Sequence, residues 1–232
     1  MSIKIPSIEE MLEAGVHFGH PVSKWHPKAA PYIYGVKNGV HIINLLKTEE
    51  SLKQVTDIVI NTVSKGEDIL FVGTKKQAKD LIKKAAIKCE MPYVNERWLG
   101  GTFTNFGTVL RSIKKLNKLE LEKENGDFSK YTKKEALILT RLIDKLNKNL
   151  GGIKNIKKLP ALVFVVDLKS EDIAVKEARS KKIPIIAICD TNVDPNLVDY
   201  PIPANDDAIK SIDMIVNVIA DAVNDGKKQI KQ

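Results

Sequence analysis

Three short and almost wholly apolar runs, each separated from the next by helical patterns, constrain the fold of this chain most. They cover residues 69–72, 161–166 and 185–188. A strand that is apolar on every side is typical of a parallel sheet covered on both faces, because a sheet with one wet face alternates apolar and polar residues. The succession of strand, helix and strand therefore predicts an α/β fold with a doubly wound, mainly parallel sheet.

A hairpin is predicted ahead of this sheet. Two β-prone stretches within residues 32–43 flank Asn38 and Gly39, and this dipeptide is the strongest short signal for a hairpin turn. An amphipathic helix is predicted next, from residue 48 to about residue 64. The α/β domain should therefore carry an N-terminal β-hairpin extension.

Helix ends are predicted from capping patterns. Thr74 and Gln77 have the spacing of a capping box, which indicates that a helix starts directly after the first apolar run. The last helix is predicted from about residue 206 to residue 224, with Gly226 as its end. The tail at residues 227–232 should be a frayed end.

The positive charge of the chain is concentrated in one segment. The net charge is +8. Residues 105–158 hold fourteen Lys and Arg against six Asp and Glu, whereas the remainder holds 23 of each sign. Such a concentration favours a polyanionic partner more than the modest overall charge does.

The same segment interrupts the alternation of strands and helices. Two heptad-like patterns, the second opened by a capping box at Thr132 and Glu135, predict two helices joined by a short turn. We therefore predict a coiled-coil helical hairpin at residues 105–154, inserted in an α/β globular domain made of residues 1–104 and 155–232.

Membrane and secretion signals are not expected. No run of about eighteen apolar residues is present, and residues 1–6 lack the basic-then-apolar pattern of a secretory signal. The two cysteines, Cys89 and Cys189, do not have the spacing of a zinc or redox motif and should be reduced core thiols. A cytoplasmic protein with no membrane partner is predicted.

Nucleotide binding is weakly supported. Residues 73–76, Gly-Thr-Lys-Lys, follow a strand and could present amides and lysines to a phosphate, but neither GxxxxGK[ST] nor GxGxxG is present. No serine or cysteine has a recognisable catalytic partner. A nucleotide- or metal-dependent enzyme therefore remains an alternative, and no small-molecule substrate is expected.

Acidic residues follow the apolar runs, at Asp167, Asp190, Asp194 and residues 205–207. With nearby histidines they could hold a magnesium or zinc ion, if the N-terminal segment folds over that edge. Capping and turn formation explain the same acids without a metal, and no cofactor should be required. The candidate ligands are His17, His20, Asp190, Asp194 and Asp206.

Two loops place a cation beside a tryptophan, a combination suited to phosphate contact and stacking on a base. Each tryptophan could instead be a core anchor, and the lysines of the helices could simply be solvated. The candidate RNA-binding residues are Lys24, Trp25, His26, Lys28, Lys75, Lys76, Arg97, Trp98, Arg111, Lys114, Lys115, Lys118, Lys133, Lys134 and Arg141.

Five motifs in consistent order resemble the signatures of the bacterial-type ribosomal protein S2 family. They are residues 12–20, 38–43, 70–78, 97–105 and 199–209. The resemblance extends from about residue 8 to residue 226, nearly the whole chain.

The resemblance implies a flavodoxin-like or Rossmann-like domain with a coiled-coil hairpin, seated between the head and body of the small ribosomal subunit. It implies binding to 16S-type rRNA and to neighbouring small-subunit proteins, including the S1 protein where that protein exists, and no catalytic activity. A surface receptor, as proposed for eukaryotic relatives, is a further alternative that the absence of a signal and of a receptor-type tail disfavours.

Overall fold

The computed structural model describes residues 4–230. Residues 1–3 and 231–232, on which the predictions for the first residues and for the tail partly fall, lie outside the described residues. The strands are β1 (Phe18–Pro21), β2 (Ile33–Lys37), β3 (Val40–Ile43), β4 (Ile69–Val72), β5 (Tyr93–Val94), β6 (Leu162–Val166), β7 (Ile185–Cys189) and β8 (Tyr200–Pro203). The α-helices are α1 (Ile8–Glu13), α2 (Leu45–Ser64), α3 (Lys79–Lys88), α4 (Phe106–Glu124), α5 (Lys133–Leu150), α6 (Asp172–Ser180) and α7 (Ile209–Ile230).

A five-stranded parallel sheet in the order β5-β4-β6-β7-β8 forms the centre of the fold. Its three central strands are the three apolar runs, and every one of their residues is buried. The edge strands β5 and β8 have no such pattern. β8 contains Pro201 and Pro203, which an edge strand tolerates because one side of it needs no ladder hydrogen bonds.

Helices cover both faces of this sheet, so the predicted doubly wound α/β fold is confirmed. Alternate residues of each strand point to opposite faces. Phe71 and Phe164 pack in one apolar cluster with α2, α3 and α7. Leu70 and Val163 pack in a second cluster with α4, α5 and α6.

The N-terminal segment forms a small antiparallel sheet in the order β1-β3-β2. The hairpin between β2 and β3 is confirmed, with Asn38 at φ 52° and Gly39 at φ 75°, as a type I′ turn requires. β1 packs closely against the loop after β7. The approach is so close at Gly19 that a Cβ there would lie 2.7 Å from Thr191 Cγ2. The His20 amide also donates to Thr191 Oγ1 at 2.8 Å.

Two predicted helix ends were wrong. The Thr74 capping box does not form. α3 begins only at Lys79, and its N-cap, Ala78, makes no side-chain hydrogen bond. Gly226 does not end α7, which continues to Ile230 and includes the first four residues of the predicted tail. Gly226 is instead a point of close approach, since a Cβ there would lie 2.8 Å from Val63 Cβ on α2.

α4 and α5 lie side by side in the second apolar cluster. The capping box at Thr132 and Glu135 is confirmed. The helices are also joined by a polar contact, in which Asn147 Nδ2 donates to Glu120 Oε1 at 2.6 Å. Their coiled-coil geometry and the exact bounds of the insertion stay predictions. Across residues 4–230, every helix is too short or too polar to cross a lipid bilayer.

Candidate functional site

The ends of β6, β7 and β8 bring acidic residues to one edge of the sheet. Asp167 follows β6, Asp190 follows β7 and Asp206 lies shortly after β8. The carboxyl ends of parallel strands share an edge, which is also where ligands bind in doubly wound folds. We name the charged group at this edge the strand-end cluster. It consists of His20, Lys75, Asp167, Asp190, Asp206 and Asp207.

Lys75, in the turn after β4, is the cation within this cluster. Its Nζ lies 2.8 Å from Asp206 Oδ1, 2.7 Å from Asp207 Oδ1 and 3.3 Å from Asp167 Oδ2. Burial works to lower the pKa of Lys75, but hydrogen bonds to Asp206 and Asp207 outweigh it and raise that pKa above its usual value. The Lys75 ammonium is therefore engaged inside the protein, which disfavours its predicted contact with RNA.

His20 lies between two carboxylates. Its Nδ1 is 3.1 Å from Asp190 Oδ1, and its Nε2 is 3.4 Å from Asp207 Oδ2 and 3.0 Å from Asn192 Nδ2. The hydrogen-bonding partner Asp190 raises the pKa of His20 more than burial lowers it, and the charges of Asp206 and Asp207 act in the same direction. The imidazole thus stands in a strongly negative field.

Asp206 is the most constrained member of the cluster. It is 1% exposed. Burial, and then the neighbouring charges of Asp190 and Asp167, raise the pKa of Asp206 to about 7 although Lys75 lowers it. A carboxyl in this position needs either a proton or further positive charge.

The structure brings together three of the five predicted metal ligands. His20, Asp190 and Asp206 meet, and Asp207 joins them. His17 instead packs against the ring of Phe18 at 4.0 Å, and Asp194 forms an ion pair with Lys28 at 2.8 Å. Asp207 belongs to the acidic run after β8, so the signal for it was present in the sequence.

The turn after β4 does not offer its amide to a phosphate. The amide of Thr74 donates to Glu171 Oε1 at 2.7 Å, and Glu171 is 1% exposed. A phosphate at this turn would meet the Glu171 carboxylate and the strand-end cluster, which repel it. Lys76 faces solvent and remains available for an external phosphate.

The loop at residues 97–105 is fixed by one carboxylate that the sequence did not reveal. Glu177 on α6 accepts hydrogen bonds from the amides of Gly101, Phe103 and Thr104 and from the indole of Trp98. Trp98 is 7% exposed and packs edge-on against Phe103. This placement favours the core-anchor interpretation of Trp98, whereas Arg97 beside it is exposed.

The other tryptophan loop is more open. Trp25 is 36% exposed and lies 5.1 Å from the ring of His41. Lys24 and Lys28 are exposed, although Lys28 is paired with Asp194. The His26 amide donates to the carbonyl of Thr191 at 2.7 Å, while its Nδ1 accepts from the Lys28 amide. This loop can present cations and one face of an aromatic ring to a partner.

The paired helices carry the remaining predicted cations on exposed positions. On α4 the spacing i, i+3, i+4, i+7 places these cations on one face, opposite the buried residues. The exposed cations are Arg111, Lys114, Lys115 and Lys118 on α4, and Lys133, Lys134 and Arg141 on α5. Lys118 pairs with Glu122 at 3.7 Å, a weak contact that leaves the face positive.

Comparisons with known proteins agree with the five motifs. The family model described as Ribosomal protein S2 matches residues 11–226. The chain is 54% identical over 230 residues to the small ribosomal subunit protein uS2 of Chlorobaculum tepidum, covering 97% of this chain and 91% of the relative. It is 50% identical over 226 residues to that of Campylobacter concisus, covering 97% and 86%. It is 47% identical over 226 residues to that of Chloroflexus aggregans, covering 97% and 95%.

Proposed function

The chain belongs to the ribosomal protein S2 family, and we propose that it binds the RNA of the small ribosomal subunit through the basic faces of α4 and α5. Its role is that of a structural ribosomal protein and not of an enzyme. The observation that carries the RNA-binding proposal is the placement of the charge: seven predicted cations of this segment all lie on exposed positions of two paired helices.

Phosphate contacts are the expected mode of recognition. The deep and narrow major groove of A-form RNA excludes side chains, so a helix with a positive face recognises the shape and phosphates of folded RNA. Each Lys or Arg that neutralises a phosphate releases a counterion, which makes the binding dependent on salt. Lys24, Lys76 and Arg97 are proposed to add contacts from the α/β body, together with the half-exposed Trp25.

The proposed partners are 16S-type rRNA and neighbouring small-subunit proteins, with the chain seated between the head and body of a bacterial cytoplasmic ribosome. Protein neighbours are proposed to cover the small antiparallel sheet, where Tyr34 is 79% and Val36 is 55% exposed, because exposed apolar side chains suit a protein contact better than a phosphate. We also propose that this surface supports the S1 protein where that protein exists. No cofactor is required for this role.

A pair of charge reversals tests the RNA-binding proposal. Lys114→Glu/Lys115→Glu changes adjacent exposed lysines of α4, and Lys83→Glu/Lys84→Glu makes the same change of charge on α3 as the matched control. Each variant is expressed in cells that contain the wild-type chain. Sucrose gradients at low and high salt, with mass spectrometry of the fractions, then measure the share of each chain in small subunits.

We expect the share of the α4 variant found in small subunits at physiological salt to be at least about tenfold lower than that of the wild type. The slope of log K against log salt should become shallower by about two, because two phosphate contacts are lost. The α3 control should incorporate normally. Equal losses in both variants, or no loss in the α4 variant, would contradict the assignment of the basic faces. Absence of the wild-type chain from small subunits would contradict ribosomal RNA binding altogether.

A further inference from the structure

The C-terminal end of α6 carries a second group of cations, outside the paired helices. Residues 178–184 include Arg179, Lys181 and Lys182 and no acidic residue, and all three cations are exposed. We name these three residues the α6 basic end. Within residues 4–230 none of them forms an ion pair, whereas Lys176, one turn earlier, pairs with Asp172 at 2.6 Å. The charge of the α6 basic end is therefore not used inside the described part of the chain.

Lys182 has a backbone conformation that a lysine rarely adopts. It lies at φ 56°, in the left-handed region. Its amide donates to the carbonyl of Arg179 at 3.0 Å, and the Ile183 amide donates to that of Ala178 at 2.9 Å, which is the pattern of a Schellman motif. Glycine is the usual residue at this position, because a side chain adds steric strain there. The chain thus keeps a cation where a glycine would relieve strain.

Two structural explanations of Lys182 are weaker. The helix dipole favours a cation near the C-terminus of a helix, but Lys181 already supplies one at φ −93° without that strain. Glu90 is in the same conformation after α3, at φ 51°, and its carboxylate is used by Lys227 at 2.9 Å. Lys182 has no such partner among residues 4–230. A strained residue with an unused side chain points to a partner outside the chain.

We propose that the α6 basic end binds phosphates of 16S-type rRNA as a second contact, separate from those of α4 and α5; this inference rests on the proposed RNA binding. α6 packs in the same apolar cluster as α4 and α5, so the three helices cover one face of the sheet. The loop that carries the exposed Arg97 is tied to α6 through Glu177. This continuity of positive charge favours RNA over an acidic protein segment. Arg179 can hold a phosphate through two parallel hydrogen bonds.

One carboxylate lies in the groove beside the α6 basic end. Asp199 lines this groove together with Arg179 and Lys182, but its Oδ2 accepts from the Ile185 amide at 2.9 Å and it pairs with neither cation. The groove therefore stays positive. Once the paired helices hold the RNA, the second contact forms at a high effective concentration, so its loss should weaken binding without abolishing it.

Rebinding to small subunits tests the second contact. The purified full-length chain is added, at several salt concentrations, to small subunits from which a high-salt wash has removed it. Lys182→Gly should weaken rebinding at least about threefold, although its Tm should equal or exceed that of the wild type because strain is removed. Arg179→Gln/Lys182→Gly should weaken rebinding at least about tenfold, and the slope of log K against log salt should become shallower by about two.

Lys182→Arg is the matched control, because it keeps both the charge and the strained backbone, and it should rebind as the wild type does. Hydroxyl-radical footprinting at saturating chain identifies the partner. The rRNA protections lost in the double variant should differ from those lost in Lys114→Glu/Lys115→Glu.

Unchanged rebinding of the double variant would overturn the second contact, while a loss in the α4 variant would leave the proposed function intact. Equal weakening by Lys182→Arg and Lys182→Gly would also overturn it, because charge would then not matter. Weaker rebinding with unchanged rRNA protections would overturn it in favour of an acidic protein partner.

Discussion

Replacing Glu177 by glutamine should loosen the loop at residues 97–105 and destabilise the fold. Oε1 of Glu177 accepts from the amide of Gly101 at 2.6 Å and from the indole of Trp98 at 3.3 Å. Oε2 accepts from the amides of Phe103 at 2.8 Å and Thr104 at 3.1 Å, and from the Thr104 hydroxyl at 3.2 Å. Both oxygens are thus used by donors, and no rotation of a glutamine amide can satisfy them all.

The magnitude follows from the donors that lose their acceptor. In Glu177→Gln an NH₂ group replaces one of the two carboxylate oxygens. At the position of Oε1 this group faces two donors, the Gly101 amide and the Trp98 indole. A buried donor without an acceptor costs about 1–3 kcal/mol. Partial relaxation of the loop recovers some of this cost, so we expect the free energy of unfolding to fall by about 3 kcal/mol. That is a large share of the 5–15 kcal/mol typical of a domain.

Urea unfolding at pH 7, followed by tryptophan fluorescence, measures this loss, because Trp98 lies in the affected loop. Asp172→Asn is the matched control on the same helix, since the Asp172 side chain is 53% exposed and forms its ion pair with the exposed Lys176. It should change stability by less than about 1 kcal/mol. A loss below about 1 kcal/mol for Glu177→Gln would refute the argument that this carboxylate anchors the loop.

The same carboxylate predicts a dependence on pH. Burial opposes the ionisation of Glu177, but hydrogen bonds from the amides of Gly101, Thr104 and Phe103 outweigh burial and lower its pKa in the folded state. A lowered folded-state pKa contributes stability above the unfolded pKa of about 4.3, and that contribution is lost as the pH falls through the folded value. The difference between wild type and Glu177→Gln should therefore shrink in acid. If the difference in free energy of unfolding between the two chains stayed constant from pH 7 down to pH 3, the lowered pKa of Glu177 would be contradicted.

Two further outcomes follow from packing. Gly226→Ala should cost about 1–3 kcal/mol in the same urea titration, because its Cβ would meet Val63 at 2.8 Å, whereas Gly107→Ala on α4, with no atom within 4 Å of its Cβ, should be neutral or stabilising. Equal effects would contradict the close approach. Burial raises the pKa of the Cys89 thiol to about 11 and also raises that of Cys189. Ellman's reagent should therefore modify both only after unfolding, and modification of the native chain would show that they are accessible.

Elements whose signals are local could be predicted from the sequence. The three central strands follow from continuous apolar runs, and the hairpin follows from Asn38 and Gly39, which adopt the positive φ angles of its turn. The capping box at Thr132 fixed the start of α5 because both of its partners lie within one helical turn. The exposed basic face of α4 follows from its periodicity, and the family follows from motifs spread along the chain.

Features whose partners are distant in sequence could not be predicted in this way and are seen only in the folded chain. α3 begins at Lys79, five residues after Thr74. The Thr74 amide, which Gln77 would accept from in a capping box, instead donates to Glu171, 97 residues away. The loop at residues 97–105 is held by a carboxylate about 75 residues further along the chain, a separation that no local spacing rule covers. Gly226 is explained only by α2 packing against it.

Sequence patterns placed acids at the ends of strands, but only the parallel order of the strands brought Asp190 and Asp206 together. Only the small sheet laid His20 beside them. Local patterns are set by backbone geometry and by the periodicity of burial, both of which act over a few residues. The strand-end cluster depends on which segments meet in space, and that is determined by packing of the whole chain.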